Sequence, residues 1–130
     1  MRRGPALPGN RLRPVAEEFP IPEAFSVRIE QHGAAAVVVP TGELDLATAP
    51  ALEDALGRAF ESGSARVVLD LRELEFIDSS GLRTLLTARR RADQSEAQFS
   101  LVAGHRSLER TLEIAGVHKV FDWTPAEELA

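Results

Sequence analysis

Cysteine is missing from the 130 residues, which excludes disulfide frameworks, thiolate metal sites and cysteine nucleophiles. Long apolar runs are missing too. The longest, Ala34 to Pro40, falls far short of the roughly 18 residues a membrane span needs, so no membrane span is expected. Basic charge is in deficit: 15 Lys and Arg stand against 20 Asp and Glu, for a net charge of −5. Phosphate-backbone affinity comes from clustered cations, so nucleic acid is not an expected partner. His32, His105 and His118 lack metal-ligand spacing and read as loop or surface residues, and neither a metal nor a cofactor is expected. The chain has no P-loop, no dinucleotide fingerprint and no Gly-x-Ser-x-Gly elbow, and nothing supplies the base, metal or phosphate cradle of an enzyme. Arg2 and Arg3 are followed by Gly, Pro, Asn and Arg in place of an apolar signal core, so the cytoplasm is the expected location.

What is present suits one core. Residues 1–24 carry five of the eight prolines and four arginines with no helical or strand period, and read as a flexible Pro/Arg-rich tail. A single domain is expected over 25–130. Phe25, Val27 and Ile29 alternate with Ser26, Arg28 and Glu30, the period of a strand with one buried face. A turn at His32 and Gly33 leads to a more continuously apolar strand, Ala35 to Val39, predicting an antiparallel hairpin. A loop is expected from Pro40 to Leu46. Thr48 then caps a helix with Pro50 in its first turn and a stripe of Leu52, Ala55, Leu56, Ala59 and Phe60, ended by Gly63. Arg66 to Leu71 reads as a central strand. A second helix follows Gly81, traced by Leu82, Leu85, Leu86 and, less strongly, Arg89 and Ala92. Phe99, Leu101 and Ala103 form another strand, and a third helix carries Leu108, Leu112 and Ala115 up to Gly116. Val117 to Trp123 closes the domain, with Trp123 covering the core, and Pro125 to Leu129 makes a last helical turn. Strands alternating with helices imply parallel pairing, hence an α/β fold.

The chemistry concentrates in Phe76-Ile77-Asp78-Ser79-Ser80-Gly81-Leu82. A carboxylate and two hydroxyls sit where a helix begins, at unpaired N–H groups and the positive end of the dipole. Two purposes fit. Asp and Ser are common N-caps and Gly81 relaxes the turn; alternatively, a phosphate on Ser79 faces those N–H groups.

Together with Gly42-Glu43-Leu44-Asp45 and Val67-Val68-Leu69-Asp70-Leu71, this segment resembles the STAS domain of anti-sigma factor antagonists, from about Phe25 to Trp123. The resemblance implies a small mixed sheet with an N-terminal antiparallel hairpin, wound with helices as a right-handed βα superhelix. It also implies a phosphoacceptor at Ser79, with Asp78, Ser80, Gly81 and Leu82 around it. The loop containing Glu43 and Asp45 is then expected beside that helix start, on the surface meeting an anti-sigma factor with serine kinase activity. Asp45 is a contact or switch residue on this reading, or else a loop acid or helix cap. Many family members have glycine after the leucine, whereas this chain has Arg83. That guanidinium either pairs with a phosphate one turn back on the helix or points into solvent. Phosphorylation of Ser79 is expected to switch off a non-enzymatic antagonist, a monomer or weak dimer, that releases a sigma factor. The alternative is an unphosphorylated STAS adaptor of a stress-signalling scaffold or of a lipid-transport ABC complex.

Overall fold

A computed structural model describes residues 25–129, and the tail expected over 1–24 lies outside the described residues. The predicted hairpin forms: β1 (Ser26–His32) pairs antiparallel with β2 (Ala35–Leu44). There follow α1 (Ala49–Glu61), β3 (Arg66–Asp70), β4 (Leu74–Ile77), α2 (Ser79–Ser95), β5 (Gln98–Val102), α3 (Arg106–Ile114) and β6 (Asp122–Trp123). Two 3-10 turns, His118–Val120 and Ala126–Leu129, flank β6. Among the described residues the sheet runs β1-β2-β3-β5-β6, with β4 added to β2, and every pairing after the hairpin is parallel. This is the expected α/β arrangement.

The core explains the periodicities. α1 buries Leu52, Leu56, Ala59 and Phe60, and α2 buries Leu85, Ala88 and Ala92, against Val38, Val67, Leu69 and Leu101 of the sheet. On the other face Ala35, Val37, Val39, Val68 and Val102 form a second cluster, with Ala126 and Leu129 packed on it. β2 and β3 are thus buried on both faces, which is why they read as continuous apolar runs. Gly63 and Gly116, both at positive φ, follow the ends of α1 and α3.

Several expectations need correction. The loop expected from Pro40 is strand as far as Leu44. β2 pairs with β3 only up to Val38 and takes up β4 at Gly42, so Pro40 sits in the gap between two parallel partners, where a residue lacking N–H is tolerated. Ile29 is 43% exposed on β1, which is the edge strand among the described residues. Ala103 lies just past β5 and is exposed, as is Ala115 at the end of α3. His118 is half-buried, stacked on Trp123 with ring centroids 4.6 Å apart. Trp123 does pack against the core.

Candidate phosphoacceptor and partner-docking site

The site is built where β2 and β4 end side by side. Glu43 is in register with Phe76 and Leu44 with Ile77, and the Asp78 N–H continues the ladder to the Leu44 carbonyl at 3.1 Å. Both strands run the same way, so the chain leaves their carboxyl ends at neighbouring points and enters α1 and α2. The two acidic segments that the sequence separates by some thirty residues are therefore adjacent.

β4 is held in place by a clamp whose partners are far apart in sequence. Arg28 of β1 grips Glu73 with two hydrogen bonds of 3.1 and 2.8 Å, and the Thr41 hydroxyl donates to the same carboxylate at 3.0 Å. The Arg28 guanidinium, followed by Thr41, holds the Glu73 carboxyl down at about 2. No local sequence signal marks this pairing.

At the start of α2, Asp78 is the N-cap in extended conformation, and its Oδ1 accepts from the N–H groups of Ser80 at 2.9 Å and Gly81 at 3.1 Å. Ser79 is the first helical residue; it is exposed, and its hydroxyl has no hydrogen-bond partner among the described residues. A phosphate was expected to face the free N–H groups of this terminus. The carboxylate of Asp78 already occupies two of them. Arg83 is exposed one turn further on, and among the described residues no carboxylate pairs with it.

Ser80 is half-buried, and its carbonyl accepts from the Thr84 hydroxyl, which also lies 3.2 Å from Glu53 of α1. Gly81 is buried. A Cβ there would come 2.5 Å from Ile77 Cγ1 and 2.9 Å from Leu44 Cγ, so the glycine lets the helix close on the strand ends. Leu82 is half-buried and packs against the core.

The Asp45 loop is equally fixed. Asp45 Oδ1 accepts from the N–H groups of Ala47 at 3.0 Å and Thr48 at 3.1 Å. The buried Thr48 hydroxyl donates to the Glu43 carbonyl at 2.8 Å and accepts from the Asp45 N–H at 2.9 Å. Thr48 therefore makes no cap bond to its helix, contrary to expectation; the Asp45 backbone carbonyl accepts from the first helical N–H, that of Ala49, at 2.8 Å. Glu43 is exposed, Asp45 and Asp78 are half-buried, and Leu46 and Phe76 stand out at 74% and 48% exposure. Sequence periodicity did not single out these last two. Among the described residues no group of three His, Asp or Glu side chains is placed to hold a metal ion, and no helix is long and apolar enough to cross a membrane.

The STAS domain family model matches residues 26–130. The anti-sigma-F factor antagonist RsfB of Mycobacterium tuberculosis is 34% identical over 100 residues, covering 77% of this chain and 81% of RsfB. An anti-sigma factor antagonist from Mycobacterium paratuberculosis has a crystal structure that superposes with a TM-score of 0.74 at 31% identity, over 85% of this chain and 93% of that one. The anti-sigma factor antagonist SpoIIAA in its unphosphorylated form shares the fold, with a TM-score of 0.66 at 19% identity over 79% of this chain and 91% of its own.

Proposed function

The chain belongs to the STAS domain family, and on that premise we propose that it is an anti-sigma factor antagonist. Unmodified, it docks on an anti-sigma factor with serine kinase activity and frees a sigma factor in the cytoplasm; phosphorylated at Ser79, it lets go. The observation that carries this reading is the Ser79 hydroxyl, exposed at the first position of α2 beside the Asp45 loop. The relatives named above as antagonists support the role.

The modification is a phosphoryl transfer. The Ser79 Oγ–H bond breaks as Oγ joins the γ-phosphorus of ATP, the bond from that phosphorus to the β-phosphate oxygen breaks, and ADP leaves. The proton passes to a base on the kinase, since among the described residues no side chain hydrogen-bonds to the Ser79 hydroxyl. A phosphoserine adds nearly two negative charges next to Asp78 and Asp45. With two N–H groups of the helix end already bound to Asp78, little of that charge is absorbed locally. Repulsion and desolvation at a close interface then cost on the order of several kcal/mol, enough to dissociate the complex without refolding.

The test is incubation with ATP and candidate kinase anti-sigma factors, followed by intact-mass and peptide analysis and by binding measurements. Modification is expected at Ser79 alone. Ser79→Ala should bind persistently, and Ser79→Asp and Ser79→Glu weakly. Modification of another residue, or Ser79→Ala behaving like the acidic variants, would sink the mechanism.

A further inference from the structure

We propose that Leu46 and Phe76 are the apolar anchors of the docking surface, and that the partner offers two apolar pockets with a basic rim. The proposal rests on the reading above and names the chemistry of its partner.

Five large hydrophobic side chains are exposed among the described residues: Ile29, Leu46, Phe76, Ile114 and Val120. Single exposed hydrophobics are ordinary. Here two of the five belong to the segments that flank Asp45 and lead to Ser79. Leu46 directly follows Asp45, and Phe76 lies two residues before Asp78 in register with Glu43.

Leu46 is not a side chain that failed to find the core. Leu44 on one side and Ala49 on the other are buried, and the turn between them is pinned by the Asp45 carboxylate and the Thr48 hydroxyl. The turn thus holds a leucine out in water, in a fixed place. An apolar group presented on a rigid turn gives up little freedom when it docks. Phe76 stands on a hydrogen-bonded strand whose neighbours Leu74 and Ile77 are buried, so it too is displayed by a frame that cannot fold it inward.

Charge defines the rim. Glu43, Asp45, Glu75 and Asp78 border the two side chains in sequence and register. Apolar anchors inside an acidic border fit pockets edged by Lys or Arg. A phosphate at Ser79 would add charge inside that border.

The probe is the purified kinase anti-sigma factor that the wild-type protein binds, titrated by calorimetry. Leu46→Ser and Phe76→Ser should each weaken binding about tenfold or more, as losing a buried anchor does. Leu46→Met and Phe76→Leu should restore most of it. Ile114→Ser removes a side chain as exposed as Leu46, at 76%, from the end of α3, and should stay within about twofold of wild type. Thermal unfolding of each variant establishes that it is folded. Wild-type binding with both serine variants within about twofold of it overturns the anchors and leaves the antagonist reading standing. Failure of the wild type to bind any kinase anti-sigma factor overturns both.

Discussion

Replacing Gly81 with alanine tests whether the fit of α2 against the strand ends sets the geometry of the site. The added methyl would lie 2.5 Å from Ile77 Cγ1 and 2.9 Å from both Cγ and Cδ2 of Leu44. These contacts cannot be cleared by swinging a flexible tip. Leu44 Cγ is one bond from Cβ, and Leu44 and Ile77 are 0% and 3% exposed. Either the two side chains leave their rotamers or the first turn of α2 lifts. Overpacking of this kind costs about 1–3 kcal/mol. Alanine recovers up to about 1 kcal/mol of helix propensity, less in a first turn than in a helix interior. A net loss of about 1–2 kcal/mol remains, a fall in Tm of roughly 5 °C or more for a domain of this size. Urea unfolding followed by the fluorescence of Trp123, the sole tryptophan, measures it, with the midpoint falling at unchanged slope. If the turn lifts, Ser79 moves with it, and phosphorylation should slow even under conditions where the variant is fully folded. A Gly81→Ala protein as stable as wild type, or more so, would refute the argument and reduce the glycine to a relaxer of the turn.

Asp78→Ala leaves the N–H groups of Ser80 and Gly81 without their acceptor and should cost about 1 kcal/mol in urea unfolding, whereas Asp78→Asn keeps a side-chain oxygen and should lose less. Glu73 titrates at about 2 in the folded protein, below its ordinary value of 4.5, so its stabilisation is present above 4.5 and lost as pH falls through about 2. The stability gap between wild type and Glu73→Gln should therefore be full at neutral pH, close in acid and shrink in high salt; a gap unchanged in acid contradicts the clamp. Phosphorylated Arg83→Ala should lose its phosphate faster than phosphorylated wild type if the guanidinium pairs with the ester, and equal rates remove that pairing.

The alternation of apolar residues and the helical stripes of α1 and α2 made the order of elements legible, because each follows from which face a single core covers; β4, whose four residues were not read as a strand, is the exception. The parts that escaped depend on neighbours the sequence does not name. Pro40 looked like the start of a loop, since nothing local says that β2 changes partners there. Ile29 fits the strand period yet lies at the sheet edge, and the period carries no information about how much covers it. The site was half legible. The Asp-Ser-Ser-Gly segment and the family resemblance located Ser79 and its helix start. That Asp78 would take the N–H groups offered to a phosphate, and that the Thr48 hydroxyl would turn back to Glu43 rather than cap α1, is a contest among oxygens decided by geometry. Leu46 and Phe76 were missed because exposure, unlike helical or strand spacing, leaves no periodic trace.

The change of partners at Pro40 divides one strand between two duties. Its first half is bound into the interior; its second half supports the proposed docking surface. Segments 42–46 and 74–79 can therefore diverge as a matched pair while the hairpin and central strands stay as they are. A cell holding several such proteins could keep their signals insulated by varying this one corner, and exchanging the two segments together between relatives would be expected to exchange their allegiances.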